Sequence, residues 1–221
     1  VHYSQQSLRL DWLLDTRGEA GRRHPWHERK EEHEWQTQRS NATRGAALRL
    51  VEDAQFQYRL VATPEIDGGA LRREGFRLMF LHHSFAVSEP ERRAFQRLVE
   101  RGGVLLADAQ AGTFDGFGDR SDPGVLDRLF GVAAIPPTHA PVSPRAVDFR
   151  IDHRVARSLG LDLHGIALAG LPAFPEVLVT DGLVLARVGE IPVIVARPRG
   201  RGLALWLNLS LAPYLAWRLA P

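Results

Sequence analysis

The stretch from Phe76 to Asp108, FRLMFLHHSFAVSEPERRAFQRLVERGGVLLAD, constrains the fold more than any other part of the chain. Arg77 to His82 is an apolar run of strand length, and Val104 to Ala107 is a second. Between them Phe95, Leu98 and Val99 recur at helical spacing behind Ser88, an N-cap serine with Glu91 three residues on and Pro90 in the first turn. Gly102-Gly103 stops that helix and permits the reversal into the second strand. Two strands bracketing one amphipathic helix predict a parallel crossover unit, and with it an α/β fold.

The flanking segments extend the pattern. Val1 to Ser4 reads as the end of a first strand, and Ser7 to Leu14 as a helix with Ser7 as its N-cap. Residues 17–39 form a polar insertion rich in Arg, Glu and His and punctuated by Trp26 and Trp35. Asn41 to Gln55 carries a helical apolar face. Tyr58 to Ala62 predicts a second strand, ended by Thr63-Pro64. After Asp108 come a Gly- and Asp-rich loop, 112–123, and a short helix, 124–130. Beyond Pro136-Pro137 short β runs at 147–151, 176–180, 183–188, 192–196 and 203–209 are separated by Gly-containing turns. They predict hairpins added to the sheet or a small β subdomain, closed by a helix over 211–219. The domain reading is an α/β core over 1–135 and a β-rich extension over 136–221 that completes the same domain.

Composition narrows the function classes. Twenty-eight basic residues stand against 26 acidic ones, a net charge of +2 too near balance to imply a nucleic-acid partner. Lys30 is the sole lysine, so the sequence pI of 9.5 reflects arginine rather than a basic face. The absence of cysteine excludes disulfides, thiolate zinc sites and thiol nucleophiles. No signal peptide is recognisable, which leaves the compartment open. Leu203 to Trp217, the most apolar stretch, is interrupted by Asn208, Ser210 and Pro213, so no membrane span is expected.

Several short motifs, taken in order, carry a more specific likeness. Val87-Ser88-Glu89-Pro90-Glu91 leads to Val99-Glu100-Arg101-Gly102-Gly103-Val104-Leu105-Leu106-Ala107-Asp108. Then come Gly112 to Gly118, Leu129-Phe130-Gly131-Val132, Asp152-His153-Arg154-Val155-Ala156 with Gly160, and Gly200-Arg201-Gly202-Leu203-Ala204-Leu205-Trp206-Leu207-Asn208. In this order the pattern resembles the trimerisation domain of bacterial β-galactosidases, within the flavodoxin-like group that includes class I glutamine amidotransferases. The polar insertion is a departure from it. The resemblance implies a flavodoxin-like three-layer sandwich with a mainly parallel sheet and added C-terminal antiparallel strands. It also implies a non-catalytic accessory or oligomerisation domain of a glycoside-hydrolase-type protein, whose partners are other domains of the same polypeptide and further copies of itself. In the amidotransferases a nucleophilic cysteine follows the fourth strand. The matching turn here is Asp108-Ala109-Gln110-Ala111-Gly112, which cannot perform thiol acyl transfer.

Ligands of doubly wound sheets collect outside the carboxyl ends of the strands. A strand order of 2-1-3-4 brings Ser4, Gln5, His83, Ser84, Asp108 and Gln110 to that crevice. Histidine, serine and aspartate invite a triad reading and a small hydrolase or sugar-metabolising enzyme as the alternative function. Ser84, however, lacks the G-x-S-x-G elbow that exposes a nucleophile, so no catalytic residue is assigned and a polar-lined corner is the simpler account. Asp108 reads as a strand-end carboxylate bonding loop amides. His24, His27 and His33 lack the i, i+4 spacing of a helical metal pair. Asp115, Asp119 and Asp122 lack the calcium-loop pattern, and Asp122 reads as a helix cap. Gly102-Gly103 follows a helix rather than preceding one, so it cradles no phosphate. No metal and no cofactor are expected. Trp26 and Trp35 could stack on a sugar or anchor a partner, which leaves a carbohydrate-binding module as a further alternative, against simple packing over the domain edge.

Overall fold

The computed structural model describes residues 1–14, 39–109, 111–134, 149–166, 173–211 and 213–218. The predicted crossover is present. Strand β3 (Leu78–Leu81) and strand β5 (Val104–Ala107) pair in parallel, Leu78 opposite Val104 and Leu81 opposite Ala107, joined by helix α5 (Glu89–Glu100). Ser88 caps α5 as its motif requires: the hydroxyl accepts from the Glu91 amide and the Glu91 carboxylate accepts from the Ser88 amide at 2.8 Å.

Ahead of this unit lie β1 (His2–Tyr3), α1 (Gln5–Leu14), α2 (Arg39–Asp53), β2 (Val61–Ala62), α3 (Thr63–Asp67) and α4 (Ala70–Arg73). Two expectations change here. Ser4, not Ser7, caps α1, its Oγ accepting from the Ser7 amide at 3.1 Å. Ser7 is taken instead by the chain beyond β3, accepting from the Ala86 amide and donating to the Ala86 carbonyl. The second strand is only Val61–Ala62; it ends before Thr63-Pro64 as expected, and the same step starts a helix, because the first turn leaves unpaired the N–H that proline lacks.

After β3, strand β4 (Ala86–Val87) pairs in parallel with β6 (Phe114–Asp115), which lies inside the loop predicted over 112–123. Then follow α6 (Asp127–Phe130), β7 (Val132–Ala134), β8 (Phe149–Ile151), α7 (His153–Ser158) and β9 (Val177–Val179). Last come β10 (Leu183–Val188), β11 (Ile191–Arg199), β12 (Gly202–Leu207) and α8 (Tyr214–Arg218). The main sheet has the order β3-β5-β12-β11-β10-β8. Its first three strands are parallel and the remainder antiparallel, so the C-terminal hairpins extend the sheet of the parallel unit. β9 leaves it and pairs with β7. β1 pairs in parallel with β2 and lies against β3.

Strand alternation distributes the side chains to two faces. Met79, Leu81, Leu105 and Ala107 pack with Phe95, Leu98 and Val99 of α5, while Phe80 turns to Ala46, Ala47 and Tyr214 on the other face. The antiparallel half carries its own cluster around Leu185, Val193, Ile194 and Leu209.

The two halves meet where the β11–β12 turn docks on the end of α5. The Leu203 amide donates to the Gly103 carbonyl at 3.1 Å. A Cβ at Gly202 would stand 2.2 Å from the carbonyl oxygens of both Gly103 and Val99, so only glycine fits between the strands and the helix end. Gly102, at φ 105°, makes the left-handed turn that feeds β5. We expect Gly202→Ala to cost about 3 kcal/mol or more in denaturant unfolding. Gly189→Ala, at an open turn with φ 54°, should lose about 1 kcal/mol. Equal losses would remove the docking explanation.

Candidate functional site

The carboxyl ends of β1, β3 and β5 meet at one corner, and the chain fills it with polar groups. Beyond β3 the backbone bends at His83, whose φ of 48° is left-handed for a residue with a side chain. That bend aims the His83 amide at Asp108, which follows β5, and both carboxylate oxygens accept from it at 3.0 and 2.9 Å. The His83 ring packs edge-on against Phe85, centroids 4.7 Å apart.

Ser84 points the opposite way, into the protein. Its Oγ lies 2.9 Å from Nδ1 of His2 and also donates to the His82 carbonyl at 3.2 Å. The other ring nitrogen of His2, Nε2, lies 3.0 Å from Oε1 of Glu91. Serine, imidazole and carboxylate thus stand in the serial order of a hydrolytic triad, but all three are 0 % exposed. A nucleophile must meet its substrate, and this hydroxyl meets only protein. The arrangement serves to bind β1, the end of β3 and the first turn of α5 to one another.

Of the anticipated crevice residues, Ser4 and His83 line a hollow with Tyr3, Ser7, Arg44 and His82. Its free volume of about 10 Å³ is room for one water. Gln5 is exposed on the first turn of α1, Ser84 faces His2, and Asp108 is 3 % exposed beneath His83. Gln110, Trp26, Trp35, His24, His27 and His33 lie outside the described residues. His2, Glu91, His82 and Arg44 were not anticipated at this corner. A capping box explains Glu91 from local sequence alone, and nothing local signals that its second oxygen receives an imidazole from β1.

The electrostatics follow from burial. Desolvation pushes the Asp108 carboxyl up to about 7, against the opposing His83 amide. Desolvation, reinforced by the His2, His83 and Arg44 charges, pushes His82 down to about 3. Neither ring nitrogen of His82 has a hydrogen-bond partner among the described residues. Burial works to raise Glu91, but the bond and proximity of His2, with Thr63 and the Ser88 amide, hold it below its usual range. Among the described residues no group of three or more His, Cys, Asp or Glu could hold a metal ion, and no helix is long and apolar enough to cross a membrane. In the loop after β5, Asp115 accepts from its own loop's amides. Asp127 rather than Asp122 bonds back before α6, accepting from the Gly124 amide at 2.9 Å.

Two predictions follow from the corner. His2→Ala strands a buried carboxylate and should cost about 3–5 kcal/mol in urea unfolding. The loss should be strongly non-additive with Glu91→Ala, and additivity would mean the pair is uncoupled. The second concerns pH. Asp108 takes up its proton more readily folded (about 7) than unfolded (3.8), so its contribution is full below 3.8 and is lost as pH rises through 7. His82, with a folded value near 3 against 6.5, acts oppositely, its contribution failing as pH falls from 6.5 towards 3. Asp108→Asn keeps an acceptor for the His83 amide and removes the first slope. Between pH 5 and 8 the variant should therefore gain about 5 °C in melting temperature relative to wild type. A constant difference across that range would contradict the burial argument.

No family model matches the chain, and no curated protein matches it. Solved structures do. The chain is similar to Gan42B, a GH42 beta-galactosidase from G. stearothermophilus, seen as a catalytic mutant, at 15% identity and TM-score 0.56 over 82% of this chain and 25% of that one. It is similar to the beta-galactosidase from Rahnella sp. R3 at 13% identity and TM-score 0.55, over 97% of this chain and 30% of that one. It is similar as well to the cytoplasmic protein STM1381 from Salmonella typhimurium LT2, at 12% identity and TM-score 0.51, over 78% and 80% of the two chains. The chain spans less than a third of the length of these beta-galactosidases. At such identities the likeness is one of fold, an α/β architecture shared by parts of large glycosidases and by a small separate protein.

Proposed function

We propose that this chain is a flavodoxin-like three-layer domain that accompanies a glycoside-hydrolase-type catalytic domain and acts through protein contacts rather than chemistry. In this reading residues 1–135 and 136–221 complete one domain, and its partners are the rest of its polypeptide and further copies of itself. The observation that carries the proposal is the correspondence of 97% of this chain to 30% of a beta-galactosidase chain. The interior of the strand-end corner supports it, because its serine, imidazole and carboxylate are spent on holding elements together.

A second reading, a small enzyme working at the strand ends, draws on STM1381, where the likeness covers 80% of that chain. Its reactive groups would be Asp108, whose carboxyl burial raises to about 7, and His82, whose ring nitrogens have no hydrogen-bond partner among the described residues. Assays of the purified chain with nitrophenyl glycosides and nitrophenyl esters separate the two. The accessory reading expects no turnover above buffer, and the same result for Asp108→Asn and His82→Gln. Turnover that disappears in Asp108→Asn would overturn it in favour of the enzyme.

A further inference from the structure

The loop between β5 and α6 presents Phe117 with 96% of its surface exposed. A lone exposed apolar ring is ordinary on a floppy loop, but this one is held in place. The Asp115 carboxylate accepts from the amides of Phe117 at 2.8 Å and Asp119 at 3.0 Å. The Asp115 amide donates to the Asp119 carbonyl at 2.9 Å, Phe114 bridges Arg120, and β6 is paired to β4. A ring displayed on a pre-ordered turn loses little freedom on binding, which is the property of an interface anchor. Asp119 and Asp122 are exposed on the same loop.

A complementary recess exists on the same molecule. Between α3, α4 and the outer flank of α5 runs a groove of about 480 Å³. Buried Ile66, Leu71 and Ala94 contribute its apolar lining. Exposed Arg72, Arg93, Arg97 and Arg101 line it as well, the last three spaced one helical turn apart along α5 and its C-cap. Arg93 is paired with Glu89, whereas Arg72, Arg97 and Arg101 make no ion pair among the described residues. Asp67 is the sole acidic residue of the lining.

We propose that this chain associates with a second copy of itself by seating Phe117 of one copy in the arginine-lined groove of the other. The apolar lining takes the ring, guanidinium groups stack on its face, and Asp119 and Asp122 meet the unpaired arginines. The placement of the two features suits the exchange. Gly116 packs on Ser88, the cap of α5, so the loop stands at one end of the helix whose flank forms the groove. Each copy carries one ring and one groove, so each can give one ring and receive one. The inference rests on the accessory reading and deepens it by naming the surface through which copies meet.

Sedimentation equilibrium from micromolar to sub-millimolar concentration tests it. The chain should self-associate. Phe117→Ala, and separately the pair Arg97→Glu with Arg101→Glu, should weaken association at least about tenfold, while Arg150→Glu on β8 leaves it unchanged. Because the chain contains no cysteine, a Phe117→Cys copy mixed with an Arg97→Cys copy under oxidised glutathione should give a mixed disulfide dimer. Phe117→Cys mixed with Arg150→Cys should not. A chain that stays monomeric throughout, or one whose association ignores Phe117→Ala, overturns the inference. The accessory reading is judged separately, by the turnover assay.

Discussion

His2 lies inside the protein with both ring nitrogens committed, one to the Ser84 hydroxyl and one to the Glu91 carboxylate. A charged or polar group with no water around it must find protein partners or lose several kcal/mol, so these three side chains fix one another's positions. Through them β1 is tied to the end of β3 and to the N-terminus of α5. Ser4 and Ser7 add a second tie, sharing a hydrogen bond of 2.7 Å and gripping the Ala86 backbone. The inward side of the strand-end corner is thereby a joint between elements.

The lower end of the same helix is settled by close packing instead of polarity. Gly102 and Gly103 end α5, Gly202 lets the β11–β12 turn press against it, and backbone bonds complete the contact. One helix therefore spans the layer with a hydrogen-bonded box at its start and a glycine-lined seat at its finish. The parallel and antiparallel parts of the sheet join across that seat through β5 and β12.

Local patterns in the sequence announced what local physics decides. The Ser88–Glu91 box, the Phe95–Leu98–Val99 stripe and the glycine stop each sit within a few residues of their effect, and each appears in the structure. The likeness of fold to parts of beta-galactosidases was legible from short motifs in order, although their residues alone did not give the sheet order. The errors came where a distant partner outbids a local one. Ser7 looks like a cap until the Ala86 backbone claims it, and Tyr58 to Ala62 looks like a full strand although β1 pairs only with Val61 and Ala62. At the corner the sequence sets Ser4 and Gln5 of the first strand end beside His83, Ser84 and Asp108, and invites a triad of Ser84 with the neighbouring histidine and aspartate. The true partner of Ser84 stands 82 positions earlier, on a strand whose inward face two residues could not reveal.

The position of β12 bears on how the chain can assemble. This strand lies between β5 and β11, yet β5 leaves the ribosome long before Leu203 pairs with Val104. During synthesis the flank of β5 therefore waits with its amides and carbonyls open, while the intervening hairpins are still being made. Such a vacancy is a template for any extended segment that passes. Maturation of the sheet is thus a late, long-range insertion, slowed by the entropy of the loop it must close, and a cell making this polypeptide has reason to shield that flank until its rightful neighbour arrives.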